Sequence, residues 1–86
     1  MNNQTNYVNE VNNVLAQYSI YPEFVKKFSD SIIAIRLDGD WKHTHACAKY
    51  AINEKFDCDI RCISVDDSDG DWYAANYVVI IQGVKN

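Results

Sequence analysis

The chain has 86 residues, of which 48% are hydrophobic and 23% charged, with a net charge of −4 from 12 acids against 8 bases. That length suits one hydrophobic core, and the composition is that of a globular protein rather than a disordered one. An acidic total argues against binding a phosphate backbone, which needs a positive surface to displace counterions, and no apolar run approaches the roughly 18 residues of a membrane span.

The opening "MNNQTNYVNE" has neither the basic region nor the apolar core of a signal peptide, so the cytoplasm is the expected compartment. Three cysteines without dense spacing agree with reduced thiols. From Asn3 to Tyr18, apolar residues at Tyr7, Val8, Val11, Val14, Leu15 and Tyr18 recur at helical spacing, with asparagines on the opposite face. Pro22 suits the first position of a short second helix over "PEFVKKF".

"SIIAIRL" is β-branched and alternating, and reads as a strand with Ile33, Ile35 and Leu37 on one face. Asp40 is a good N-cap for a helix from Trp41 to about Phe56, on which Trp41, His45, Ala48, Ile52 and Phe56 share a face. "DIRCISV" is a second strand, "DDSDGD" a turn around Asp69-Gly70, and "WYAANYVVIIQG" a third and longest strand.

The predicted order is therefore α-α-β-α-β-β, a single α/β (α+β) domain over residues 1–86. A strand, a crossover helix and another strand usually give a parallel pair, and a hairpin makes the third strand antiparallel to the second. The apolar tail Val78 to Ile81 favours a central place for that third strand. A three-stranded mixed sheet of order 1-3-2, a split β-α-β arrangement with helices on one face, is expected. The uncovered face of such a sheet is apolar along strand three and would suit a homodimer.

Asp-Gly-Asp-Trp occurs twice, at 38–41 and 69–72. The first copy leaves a strand for a helix, the second leaves a strand for another strand, so they are not a structural repeat. Each glycine is expected to supply positive φ in a turn. Parallel flanking strands would end on one edge of the sheet. Asp38, Asp40, Asp66, Asp67, Asp69 and Asp71 would then gather at one pole beside Trp41, Trp72 and Tyr73. Those nine residues are the candidate partner-binding site.

Other chemistry fits less well. With Gly70 placed sixth in a calcium loop, Val65 comes first and Asn76 twelfth, so the ligand pattern fails. His43, His45, Cys47, Cys58 and Cys62 lack zinc spacing; His45 reads as a core histidine and the cysteines as small buried hydrophobes. No nucleophile has an evident base, and no phosphate loop is present. No catalytic residue and no cofactor are therefore expected. The alternative is a divalent-metal-dependent hydrolase or nuclease built on the clustered aspartates with His43 as base.

"GDWKHTH" followed by "DSDGDWY" resembles a pattern in small proteins of bacterial phages and mobile elements. Size and acidity are similar to those of anti-defence proteins such as anti-CRISPRs, which occupy nucleic-acid-binding surfaces. The resemblance covers about a third of the chain and implies no activity or site residues. It is the Trp and Tyr beside carboxylates, with the analogy of size and acidity, that point to an acidic cytoplasmic binding or inhibitory protein. Its partner would be a protein with a basic surface, with no direct contact to membrane or nucleic acid.

Overall fold

In a computed structural model, residues 7–85 are described, except for the side chains of Trp41, Asp67, Ser68 and Asp69. Helix α1 spans Tyr7–Ala16 and buries Val11, Val14 and Leu15. It ends in a Schellman cap: Ile20 N–H donates to Leu15 O and Ser19 N–H to Ala16 O, with Ser19 left-handed at φ 59. Ile20 and Leu15, both buried, supply the hydrophobic contact that accompanies this cap.

Four strands follow: β1 Phe24–Lys27, β2 Ile32–Asp40, β3 Phe56–Asp69 and β4 Trp72–Val84. The sheet order is β1-β2-β4-β3, and every bonded pair is antiparallel. Between β2 and β3 the chain makes one π-helical turn, Trp41–His45, and helix α2, Ala46–Lys55.

The expected three-stranded mixed sheet and the α-α-β-α-β-β order are thereby corrected. The segment read as a second helix is β1, which joins β2 in register Phe24 to Arg36 and Lys27 to Ile33. A four-residue strand has too little alternation to be told from two turns of amphipathic helix. Pairing decides it: Glu23 N–H donates to Arg36 O, and the Glu23 carboxylate holds the Arg36 guanidinium. Because β4 bonds both β2 and β3, those two run in the same direction without touching as a pair.

One face of the sheet meets the helices. Ile33, Ile35 and Leu37 of β2 and Ala75, Tyr77, Val79 and Ile81 of β4 are buried there against Val11, Leu15, Ala48, Ile52 and Phe56. Tyr7 sets its ring edge-on to Phe56 at 5.8 Å. The opposite face is open, with Ala34, Arg36, Asn76, Val78 and Ile80 half-buried along its middle.

The β3–β4 hairpin sets the shape. Its strands of 14 and 13 residues match the 47 Å long axis of a molecule only 22 and 18 Å across. Gly70 and Asp71 form its loop, with positive φ at Gly70 (67°) as the first residue of a II′-type turn. Gly39 does not have positive φ, contrary to expectation. A Cβ there would lie 2.9 Å from Cβ and Cγ2 of Thr44, so this glycine is needed for close approach of β2 to the π turn. The two copies of the tetrapeptide thus use glycine for two different physical reasons.

Candidate acidic and aromatic docking end

The ends of β2, β4 and β3 carry the candidate residues in register. Asp38 stands opposite Ala74, which stands opposite Asp66; Asp40 stands opposite Trp72, which stands opposite Asp69. Asp38, Asp40, Trp72 and Ala74 lie on the open face, since Leu37, Gly39, Ala75 and Tyr77 alternate to the buried one. Two antiparallel pairings through β4 bring residues 38–40 and 66–69 to one end of the sheet.

Asp38, Asp40 and Asp66 each have structural work there. Asp38 Oδ1 accepts from Trp72 Nε1 at 2.7 Å. Asp40 Oδ1 accepts from Lys42 N at 2.9 Å and caps the π turn. Asp66 Oδ2 accepts from Arg36 Nη1 at 2.7 Å, and Glu23 holds the same guanidinium from the other side. Asp66 and then Glu23 raise the Arg36 pKa further above its ordinary value. Asp71 lies exposed in the hairpin loop. The side chains of Trp41, Asp67 and Asp69 fall outside the described residues.

Trp72 is 56% exposed although its indole N–H is bonded, so its rotamer is held while its ring faces solvent. Tyr73, the next residue, turns inward and stacks on His45 with ring centroids 4.4 Å apart. It supports the end from beneath and presents only part of its surface.

His45 anchors the inner side. It is 1% exposed, and its Nδ1 is hydrogen-bonded to Tyr77 Oη at 2.6 Å. Among the described residues, its Nε2 has no hydrogen-bond partner of good geometry. Burial is the largest influence on its pKa and lowers it, while the backbones of Tyr73 and Gly39 pull more weakly upward. Burial likewise pushes the Tyr77 phenol well up, so it stays protonated. The sequence marked His45 as a core residue, but its partner Tyr77, 32 positions away, has no local signal.

His43 is exposed and His45 buried, so the two histidines do not converge. Cys47 and Cys58 are half-buried and Cys62 is exposed, which corrects the reading of all three as buried hydrophobes. Burial raises the Cys58 thiol pKa. Among the described residues, no three His, Cys, Asp or Glu side chains are placed to hold a metal ion. Among them, too, no helix is long and apolar enough to cross a membrane.

No family model, curated protein or solved structure matches the chain.

Proposed function

We propose that the acidic, aromatic end of the sheet docks on a basic surface of a larger protein, and that the chain is a small cytoplasmic binding or inhibitory protein. The observation that carries this reading is the row Asp40, Trp72, Asp69, in which an exposed indole stands between carboxylate-bearing strands. Tryptophan is favoured at the energetic centre of interfaces, and one already held by Asp38 loses little rotamer freedom on binding. Clustered carboxylates steer a basic partner toward it.

A nucleic-acid-binding surface is the kind of basic surface that suits this end, because it is built to receive closely spaced negative charge. An anti-defence role follows from that choice: the chain would cover such a surface and exclude nucleic acid from it. Capture from a bacterial host lysate tests the reading. Immobilised wild type is expected to retain a protein that high salt releases and added nucleic acid displaces. The Asp67→Lys, Asp69→Lys variant is expected to lose it; recovery of the same proteins by both forms would contradict the proposal.

A further inference from the structure

β3 is an outer strand, and its far edge bonds no other strand among the described residues. Such an edge presents unpaired N–H and C=O groups, which proteins ordinarily guard with lysine, proline, bulges or a covering segment. Here irregularities frame the edge without closing it. The β3–β4 register shifts between Asp57 and Cys58 and again between Cys62 and Ser64. Between them lies a regular stretch, Cys58 to Cys62, with neither lysine nor proline.

That stretch is symmetric about Ile60. Asp59 and Arg61 stand one residue to either side, on the open face opposite Ile80 and Val78. Cys58 and Cys62 stand two residues to either side, on the helix-covered face opposite Ile81 and Tyr77. Within one chain Arg61 Nε reaches Asp59 Oδ2 at 2.7 Å, and the two side chains remain 70% and 51% exposed. An ion pair that exposed contributes little, so exchanging it for another costs little.

We propose that this stretch pairs with its counterpart in a second copy of the chain, antiparallel about a two-fold axis at Ile60. The two four-stranded sheets would become one continuous sheet. Antiparallel pairing centred on a residue sets each position before it opposite the matching position after it. Asp59 of each copy then faces Arg61 of the other, and the favourable pair occurs twice. Moving the axis by one residue adds a like-charge contact: centred on 61 it sets Arg61 against Arg61, and centred on 59 it keeps two opposite-charge pairs, Asp57 with Arg61, but sets Asp59 against Asp59. The charges therefore select the register as well as favouring the contact.

Ile60 adds an apolar centre. It is half-buried, packs against the core, and would meet its own copy at the axis. The axis runs perpendicular to the sheet, so both sets of helices lie on one side and the open faces join on the other. The same patch serves both copies, as a two-fold contact requires. The open face itself is a poorer dimer surface, because the bridge Glu23–Arg36–Asp66 crosses its middle.

Sedimentation equilibrium of the full chain under reducing conditions tests the proposal. Wild type is expected to dimerise in the micromolar range. Arg61→Asp sets two carboxylates against each other at both contacts and should raise the dimer dissociation constant about tenfold or more. Asp59→Arg combined with Arg61→Asp exchanges the charges and should restore the wild-type value. Both positions are exposed, and circular dichroism with thermal melting verifies that each variant stays folded. A wild-type monomer at every concentration, a dimer indifferent to Arg61→Asp, or a charge-exchanged variant that stays dissociated would overturn the proposal.

Discussion

Acidification should destabilise this fold through His45, and His45→Gln should remove that part of the effect. Tyr73 and Tyr77 from β4 pack against the ring, and the charges of Lys49 on α2 and of Asp38, on the other face of β2, act on it from farther away. Burial and then the Lys49 charge lower its pKa, while the nearby backbones and Asp38 oppose them without prevailing. In the unfolded chain the same imidazole titrates near its ordinary value of about 6.5. Below that pH the unfolded state binds more protons than the folded state, so stability falls as pH falls. The contribution is fully present above about pH 6.5 and is lost as pH drops toward the lowered folded value. Each pH unit over which the ring is charged when unfolded but neutral when folded costs about 1.4 kcal/mol. For a domain of this size, whose total stability is on the order of 5 kcal/mol, that is a large fraction. Urea unfolding at successive pH values from 8 down to about 5, for wild type and His45→Gln, measures it. The glutamine can still pair with the Tyr77 hydroxyl but does not titrate. Wild type should lose stability relative to the variant on acidification. Parallel curves, or a relative gain by wild type, would refute the reasoning.

Tyr77→Phe leaves His45 Nδ1 buried without its 2.6 Å partner and should cost about 1–3 kcal/mol in the same unfolding assay. Gly39→Ala and Gly70→Ala should both destabilise, but by different routes. At Gly39 the added methyl meets Thr44 at 2.9 Å and the expected cost is about 1–3 kcal/mol. At Gly70 the methyl meets nothing within 4 Å, and the positive φ alone should cost about 1–2 kcal/mol. Asparagine, which tolerates positive φ, should recover stability relative to alanine at position 70 and not at 39.

Much of the local structure is legible in the residues themselves. Ile33, Ile35 and Leu37 alternate as one face of a strand, and all three are buried. Asp40 marks a helix start, and its carboxylate caps that start. Asp38 and Asp66 reach one end of the sheet for a topological reason: two strands that flank a third antiparallel to both must finish on the same side. Other features arise only from tertiary structure. Phe24 to Lys27 form a strand because Arg36 and its neighbours offer an edge, which the segment's own pattern does not announce. Nothing in "WKHTH" distinguishes a π turn from an α turn, and the need for Gly39 comes from Thr44 crossing close above it. Arg36 bridges Glu23 and Asp66 across three strands, so Asp66 is less available to a partner than its place in an acidic run suggests.

The most direct test of the docking function is the binding kinetics of the captured partner, measured against ionic strength for three proteins. For wild type, association should be fast at low salt and slow about tenfold or more as salt shortens the screening length to below 10 Å. Asp67→Lys with Asp69→Lys should slow association and flatten its salt dependence. Trp72→Ala should leave association nearly unchanged and speed dissociation about tenfold or more, as loss of a central interface tryptophan does. An association rate indifferent to salt in wild type, together with a Trp72→Ala complex that dissociates no faster, would contradict docking through this end.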